Sequence, residues 1–112
     1  MVDDSLLTRR MATLALTGAG YNTLIAIDGA DGYATAIVNP IRAVVTAVNM
    51  PGMNGIELIR KFRAHPSSAG VPVILLTMET DKATMRDAKA AARITKPFTE
   101  GQLLTAISKV LA

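Results

Sequence analysis

Acidic, hydroxyl and basic side chains stand at the ends of short apolar segments along this chain. Asp3 and Asp4 follow the first two residues, Thr77 closes an apolar run, and Lys96 follows another short run. Two carboxylates can hold a hard cation such as Mg²⁺, which takes oxygen ligands. A hydroxyl and an ammonium group can contact the oxygens of a phosphoryl group. Together these side chains would suit phosphoryl chemistry that depends on a divalent cation.

The elements that must position these side chains alternate between strand-like and helical segments. The strand-like segments are short and rich in aliphatic residues: Tyr21–Ile27, Ala43–Val48, Val71–Thr77 and Arg93–Thr95. The predicted helices are one capped by Ser5 and ending at Gly18, then Ala30–Val38, Gly55–Ala64, Asp81–Ala91 and Glu100–Leu111. This alternation predicts a parallel sheet covered by helices, with chemistry at the carboxyl ends of its strands.

Helical periodicity also predicts which side chains are buried. In the first helix the predicted inner face is Leu7, Met11, Leu14 and Gly18, and in the second it is Tyr33, Ala34 and Ile37. In the third helix it is Ile56, Ile59 and Phe62, and in the last it is Leu103, Leu104, Ile107, Val110 and Leu111.

Composition restricts the class of protein. The 112 residues suffice for one domain, and 50% of them are hydrophobic but few are aromatic, which suits an aliphatic α/β core. The absence of cysteine excludes disulfides and thiolate metal sites and makes the cytoplasm the expected compartment. No apolar run approaches the ~20 residues of a membrane span, and no signal peptide is expected. The densest basic stretch, residues 60–63, is interpreted as the solvated side of a helix, so no DNA partner is expected.

The motifs, taken in order, resemble those of response regulator receiver domains, especially the single-domain chemotaxis (CheY-like) kind. They are Val2–Ser5, Asp28-Gly29, Asn49–Pro51 with Gly55, Leu75–Thr77 and Lys96–Phe98. The resemblance implies one domain over residues 1–112, with a flavodoxin-like, doubly wound parallel sheet of five strands in the order 2-1-3-4-5. It implies two-component signalling rather than enzymatic activity. The implied partners are a histidine kinase and the flagellar motor switch or another chemotaxis protein.

The resemblance also implies a role for each site residue. Asp3 and Asp4 would position Mg²⁺, and Asn49 would offer its backbone carbonyl to the metal. The hydroxyl of Thr77 and the ammonium group of Lys96 would contact the phosphoryl group. The peptide bond that follows Lys96 is cis in the family and is expected to be cis here.

The chain departs from the family at the phosphorylated position. The acceptor aspartate of the family is replaced by Ala47, two residues before Asn49. Alanine offers neither a nucleophilic oxygen nor a metal ligand, so the chain is expected to be phosphorylation-deficient and to bind Mg²⁺ more weakly. Because the surrounding motifs remain receiver-like, an engineered replacement of the aspartate by alanine is favoured over a natural pseudo-receiver.

Two further departures concern the fold. Only Met1 and Val2 stand where the family has its first, central strand, and an internal strand missing from a parallel sheet would leave two rows of backbone groups unpaired. Either the protein is longer than these residues, or an equivalent strand comes from another copy, or the fold is altered. The junction before Arg93 is shorter than in the family, and Arg93 occupies the position of the aromatic switch residue.

Two other functions compete with the signalling receiver. One is a phosphorylation-independent pseudo-receiver that binds a kinase, motor or anti-sigma partner through the same surface. The other is a small flavodoxin-like enzyme that uses Asp3, Asp4 and Lys96. No glycine-rich phosphate loop or catalytic cysteine supports the enzyme, and His65, beside Pro66 at a helix end, is expected at the surface.

Overall fold

The computed structural model describes residues 1–78 and 90–111, which form a parallel sheet between helices. The elements in chain order are α1 (Leu6–Gly18), α2 (Gly29–Ile37), β1 (Val44–Ala47), α3 (Gly55–Ala64), β2 (Val73–Thr77), β3 (Ala92–Thr95) and α4 (Glu100–Leu111). The strand order is β1-β2-β3, with Val44 opposite Val73 and Ile74 opposite Ala92. These three strands correspond to the last three of the five that the family resemblance implies.

The positions of the other two strands are marked by single β-bridges. Val2 pairs in parallel with Ala26 on one side and with Thr46 of β1 on the other. Its N–H donates to the carbonyl of Val45 at 2.7 Å, and its carbonyl accepts from the N–H of Ala47 at 2.9 Å. The order 2-1-3-4-5 is therefore present, with the first strand reduced to Val2.

The strand predicted over Tyr21–Ile27 is wrong in its extent, because only the bridge at Ala26 is regular. Ala26 pairs with Val2, and its N–H donates to the carbonyl of Met1 at 2.9 Å.

The core consists of two clusters, and successive residues of β2 alternate between them, as side chains on opposite faces of a sheet do. One cluster includes Ala47, Val73, Leu75 and the buried side chains of α3. The other includes Val45, Ile74 and Leu76 with buried residues of α1 and α4. The sheet is thus covered on both faces, as a doubly wound fold requires.

The bounds of α3 and α4 agree with the predicted ones. Asn54 caps α3 in a capping box with Glu57, in which each side chain accepts from the backbone N–H of the other residue. Ser5 caps α1, as predicted, by accepting from the N–H of Thr8 at 3.3 Å. Ile56, Ile59 and Phe62 of α3 are buried, which confirms the predicted inner face.

The predicted inner face of α1 is wrong. Leu7 and Leu14 are 78% and 72% exposed, whereas Ala12, Ala15 and Leu16 are buried. The sequence offers two apolar stripes, and the small alanine side chains let α1 approach the sheet and α4 more closely than a leucine face would.

Two smaller corrections concern the other helices. In α2, Ala34 is exposed and Ala36 packs against the core instead. The predicted helix Asp81–Ala91 falls mostly outside the described residues, and its last two residues, Ala90 and Ala91, are not helical. Among the described helices, none is both long and apolar enough to cross a bilayer.

Candidate functional site

The predicted site residues lie at the carboxyl ends of the strands. Ala47 is the last residue of β1, Thr77 is the last residue of β2, and Lys96 directly follows β3. Asp3 directly follows the bridge at Val2, which pairs beside β1. Parallel pairing of adjacent segments therefore brings these four positions to one edge of the sheet.

Asp3 and Lys96 form the central contact of this site. The Nζ of Lys96 lies 3.1 Å from Oδ2 of Asp3, whose side chain is fully buried, while the lysine side chain is 25% exposed. The other carboxylate oxygen, Oδ1, accepts from the backbone N–H of Ser5 at 2.8 Å. Both oxygens of a buried carboxylate are thus satisfied, as burial of a charge requires.

Arg9 is a site residue that the sequence did not indicate. Its Nη1 donates to the backbone carbonyl of Asp3 at 2.8 Å. The contact joins the first turns of α1 to the segment that carries the carboxylate. Since it involves a backbone carbonyl rather than an acidic side chain, no pattern of residue types could have predicted it.

Asp4 and Asn49 lie at the rim of the site. Both are exposed, in contrast to the buried carboxylate of Asp3. The loop after Asn49 turns at Gly52, whose φ of +74° lies in the left-handed region. This turn leads into Asn54 and the start of α3, so the loop that carries Asn49 is anchored at both ends.

Ala47 is 2% exposed and packs in the apolar cluster that also contains Val48 and Met50. Its backbone carbonyl accepts from the hydroxyl of Thr46 at 3.0 Å. The same carbonyl touches Gly55 so closely that a Cβ on this glycine would overlap it. Position 47 therefore has a closely defined backbone, but its methyl group offers no oxygen to a phosphoryl group or a metal.

Thr77 and Lys96 are joined through their backbones. The N–H of Lys96 donates to the carbonyl of Thr77 at 2.7 Å, and the peptide bond between Lys96 and Pro97 is cis, as predicted. The hydroxyl of Thr77 is buried and lies 3.5 Å from the carbonyl of Ile94, at the limit of a hydrogen bond. The two residues expected to contact a phosphoryl group are thus neighbours.

The donor set for a divalent cation is small. Asp3 and Asp4 would supply carboxylates, and the loop would supply the carbonyl of Asn49. Within residues 1–78 and 90–111, no cluster of three or more His, Cys, Asp and Glu side chains could hold a metal ion. The available donors are all oxygens, which suits Mg²⁺, but position 47 contributes no carboxylate to them.

Comparison with known proteins shows the family. The model of the response regulator receiver domain matches residues 1–108. The chain is 35% identical to Protein PilH of Pseudomonas aeruginosa, over 100% of this chain and 95% of that protein. It is 34% identical to the chemotaxis protein CheY homolog of Campylobacter jejuni, over 99% of this chain and 89% of that protein.

Solved structures show the same fold. The chemotaxis response regulator CheY4 of Vibrio cholerae matches with a TM-score of 0.91 and 33% identity, over 98% of this chain and 94% of that one. The receiver domain of sensor histidine kinase PA1611 from Pseudomonas aeruginosa, with a magnesium ion coordinated in its active site cleft, also reaches 0.91. That match covers 98% of this chain and 93% of the other, and its 22% identity supports the fold alone. This chain therefore belongs to the response regulator receiver family and is a CheY- and PilH-like receiver domain of two-component signalling.

Proposed function

We propose that this chain is a chemotaxis-type receiver that stays unphosphorylated because Ala47 replaces the acceptor aspartate. The observation that carries the proposal is the position of Ala47, at the end of β1 and on the same sheet edge as Asp3, Thr77 and Lys96. Phosphoryl transfer to a receiver requires a nucleophilic oxygen at the reacting position, and a methyl group has none. The chain is accordingly proposed to be a binding partner of a histidine kinase and not an enzyme.

The ion pair at the site supports an inactive resting state. Lys96, whose expected role is to contact a phosphoryl group, donates instead to the buried carboxylate of Asp3. With this pair formed, the centre of the site has little net charge to attract a phosphoryl group. A two-state receiver that cannot gain the phosphoryl charge remains in its unliganded state.

Mg²⁺ would be held by Asp3, Asp4 and the carbonyl of Asn49. When bound, the ion supplies positive charge that neutralises phosphoryl oxygens. In this chain the two carboxylates directly follow Val2, and the carbonyl of Asn49 follows β1. Because Asp3 already bonds to Lys96 and Ser5 and position 47 adds no oxygen, the affinity for Mg²⁺ is proposed to be lower than in a receiver with the aspartate.

The test is restoration of the acceptor. The Ala47→Asp variant is incubated with acetyl phosphate and Mg²⁺, and the phosphorylated fraction is measured by intact-mass spectrometry. The native chain and an Ala47→Asn variant, which has similar size but no carboxylate, serve as controls. Labelling of Ala47→Asp alone is expected. Failure of a folded Ala47→Asp variant to label contradicts the assignment of position 47.

A second candidate is the phosphorylation-independent pseudo-receiver, which the preformed Asp3–Lys96 pair also favours. Here the partner, such as a histidine kinase or a flagellar motor component, would recognise the surface without any change of state. The two functions differ in one measurement, the affinity of the Ala47→Asp variant for its partner with and without acetyl phosphate. A change in affinity upon phosphorylation supports the switch, whereas equal affinities support the pseudo-receiver.

A further inference from the structure

The turn after α3 brings a histidine and a serine into direct contact. Nδ1 of His65 lies 2.8 Å from Oγ of Ser67 and 3.2 Å from the backbone nitrogen of the same serine. The turn leads from α3 into β2, so it lies at the amino edge of the sheet. Asp3 and Lys96 meet at the opposite, carboxyl edge. The histidine and the serine are therefore separate from the site described above.

The backbone holds these two side chains in place. His65 ends α3 in an extended conformation, with φ of −98° and ψ of 127°, which the following proline favours. Pro66 has a fixed φ, so the chain between the two side chains has little freedom. Ser68 anchors the far side of the turn, because its buried hydroxyl donates to the carbonyl of Phe62 at 2.8 Å. The contact between His65 and Ser67 thus follows from the local backbone.

An aromatic neighbour orients the histidine ring. The rings of Tyr33 and His65 meet edge to face, with centroids 6.0 Å apart and an interplanar angle of 80°. Tyr33 itself lies 6.0 Å from the ring of Phe62, which is fully buried, and it carries the ammonium group of Lys61 at 5.2 Å from its centroid. The imidazole is therefore held between a packed aromatic ring and the turn that carries Ser67.

The hydrogen bonds decide which ring nitrogen carries the proton. A backbone N–H can only donate, so Nδ1 of His65 accepts from Ser67 and the ring proton is on Nε2. The hydroxyl of Ser67 then also donates to Nδ1. A neutral imidazole that accepts from a hydroxyl can take its proton as a general base and so activate the oxygen as a nucleophile. Ser67 is exposed, so a reagent can reach this oxygen.

We propose that Ser67 accepts an acyl group from an acyl thioester, with His65 as the base. Oγ of Ser67 attacks the thioester carbonyl and forms a C–O bond, while its proton passes to Nδ1. The C–S bond then breaks, and the thiolate leaves with the electron pair and takes the proton from His65. A thiolate suits this site because it leaves more readily than an alkoxide. The product is one ester at Ser67, and its formation does not depend on Ala47.

The experiment treats the full chain with p-nitrophenyl thioacetate and maps the acetylated residues by tandem mass spectrometry over time. Ser108, an exposed serine of α4, is the internal control. Acetylation of Ser67 is expected to be faster than that of Ser108 by about a hundredfold, which is the usual contribution of a positioned base. Neutral hydroxylamine should remove the acetyl group, because it cleaves esters and not amides. Equal rates at the two serines, or acetylation of Lys61 in place of Ser67, overturns the proposal.

Histidine variants distinguish the base from the turn. In His65→Asn, Oδ1 takes the position of Nδ1 and can still accept from the N–H of Ser67, but an amide is not a base. Acetylation of Ser67 is expected to slow by about a hundredfold, with an unchanged circular dichroism spectrum. His65→Gln, whose side chain is also an amide, tests the same point if His65→Asn does not fold. A folded amide variant that reacts at the rate of the native chain overturns the role of His65.

Discussion

The ammonium group of Lys96 lies 3.1 Å from Oδ2 of Asp3, although 93 residues separate them in the sequence. This contact joins the segment after Val2 to the segment after β3 across the carboxyl edge of the sheet. It pairs a fully buried anion with a partly exposed cation, so its loss leaves the carboxylate as a buried charge with one hydrogen bond from Ser5.

Removal of the cation is therefore expected to destabilise the fold. Lys96→Met should lower the free energy of unfolding by about 2 to 4 kcal/mol, because breaking such a pair leaves a buried charge poorly compensated. Urea denaturation followed by circular dichroism measures the change. Lys109→Met, at an exposed position of α4, is the control and should change stability by less than about 0.5 kcal/mol. Equal losses in the two variants would contradict the importance of the ion pair.

Restoration of the carboxylate at position 47 should strengthen Mg²⁺ binding. A third anionic oxygen donor beside Asp3 and Asp4 is expected to lower the Kd for Mg²⁺ roughly tenfold or more. Titration calorimetry of the native chain, Ala47→Asp and Ala47→Asn measures this change. An Ala47→Asn variant that binds Mg²⁺ as tightly as Ala47→Asp would show that the added charge is not the cause.

Gly55 is expected to tolerate no side chain. A Cβ at this position would overlap the backbone carbonyl of Ala47, which cannot move without disturbing β1. Gly55→Ala should therefore cost about 1 to 3 kcal/mol or more. In Gly101→Ala, the added Cβ meets only Thr99 Oγ1 at 3.8 Å, so this control should be neutral or stabilising by up to about 1 kcal/mol. Thermal unfolding of the two variants tests the difference, and similar melting temperatures would argue against the close contact.

The amine of Met1 should make stability depend on pH. Burial lowers the pKa of this group from 8.0 to about 6, because desolvation disfavours its charged form. Between pH 6 and 8 the unfolded chain binds more protons than the folded chain, so stability rises with pH through this window. The contribution is on the order of 2 kcal/mol and is already lost below pH 6. Urea midpoints at pH 5.5 and 8.5 measure it, and acetylation of the amino terminus should remove this part of the dependence.

The corrected inner face of α1 can be tested with one type of substitution at two positions. Leu16→Ala should cost about 2 to 5 kcal/mol, because it opens a cavity in the core. Leu14→Ala, at a position that is 72% exposed, should change stability by less than about 0.5 kcal/mol. Chemical denaturation measures both changes. A large loss of stability in Leu14→Ala would support the inner face that periodicity alone predicts.

Local signals explain which elements the sequence predicted well. The His65-Pro66 pair is a strong signal for the end of α3, and the end of the helix at Ala64 agrees with it. The face of α1 was not predictable in the same way, because both of its apolar stripes satisfy helical periodicity. The alanine face is the inner one because its small side chains let α1 lie close to the sheet.

The site was predictable where it depends on strand ends. Asp3, Thr77 and Lys96 follow from the rule that parallel strands bring their carboxyl ends to one edge. The contact from Arg9 to the carbonyl of Asp3 depends on the path of one flexible side chain, and the state of the Met1 amine depends on burial by distant segments. Neither leaves a pattern of residue types in the sequence.

The bridge at Val2 has a consequence for how the molecule opens. Residues 19–40, which contain α2, pair with the sheet through the backbone of the first three residues, pack through α2 on α3, and are bonded to α1 through the N–H of Tyr21. A unit tied by so few hydrogen bonds unfolds locally at lower free energy than a complete sheet does. Amide hydrogens in this unit are therefore expected to exchange with solvent before those of β1 and β2 once the pairing at Val2 opens.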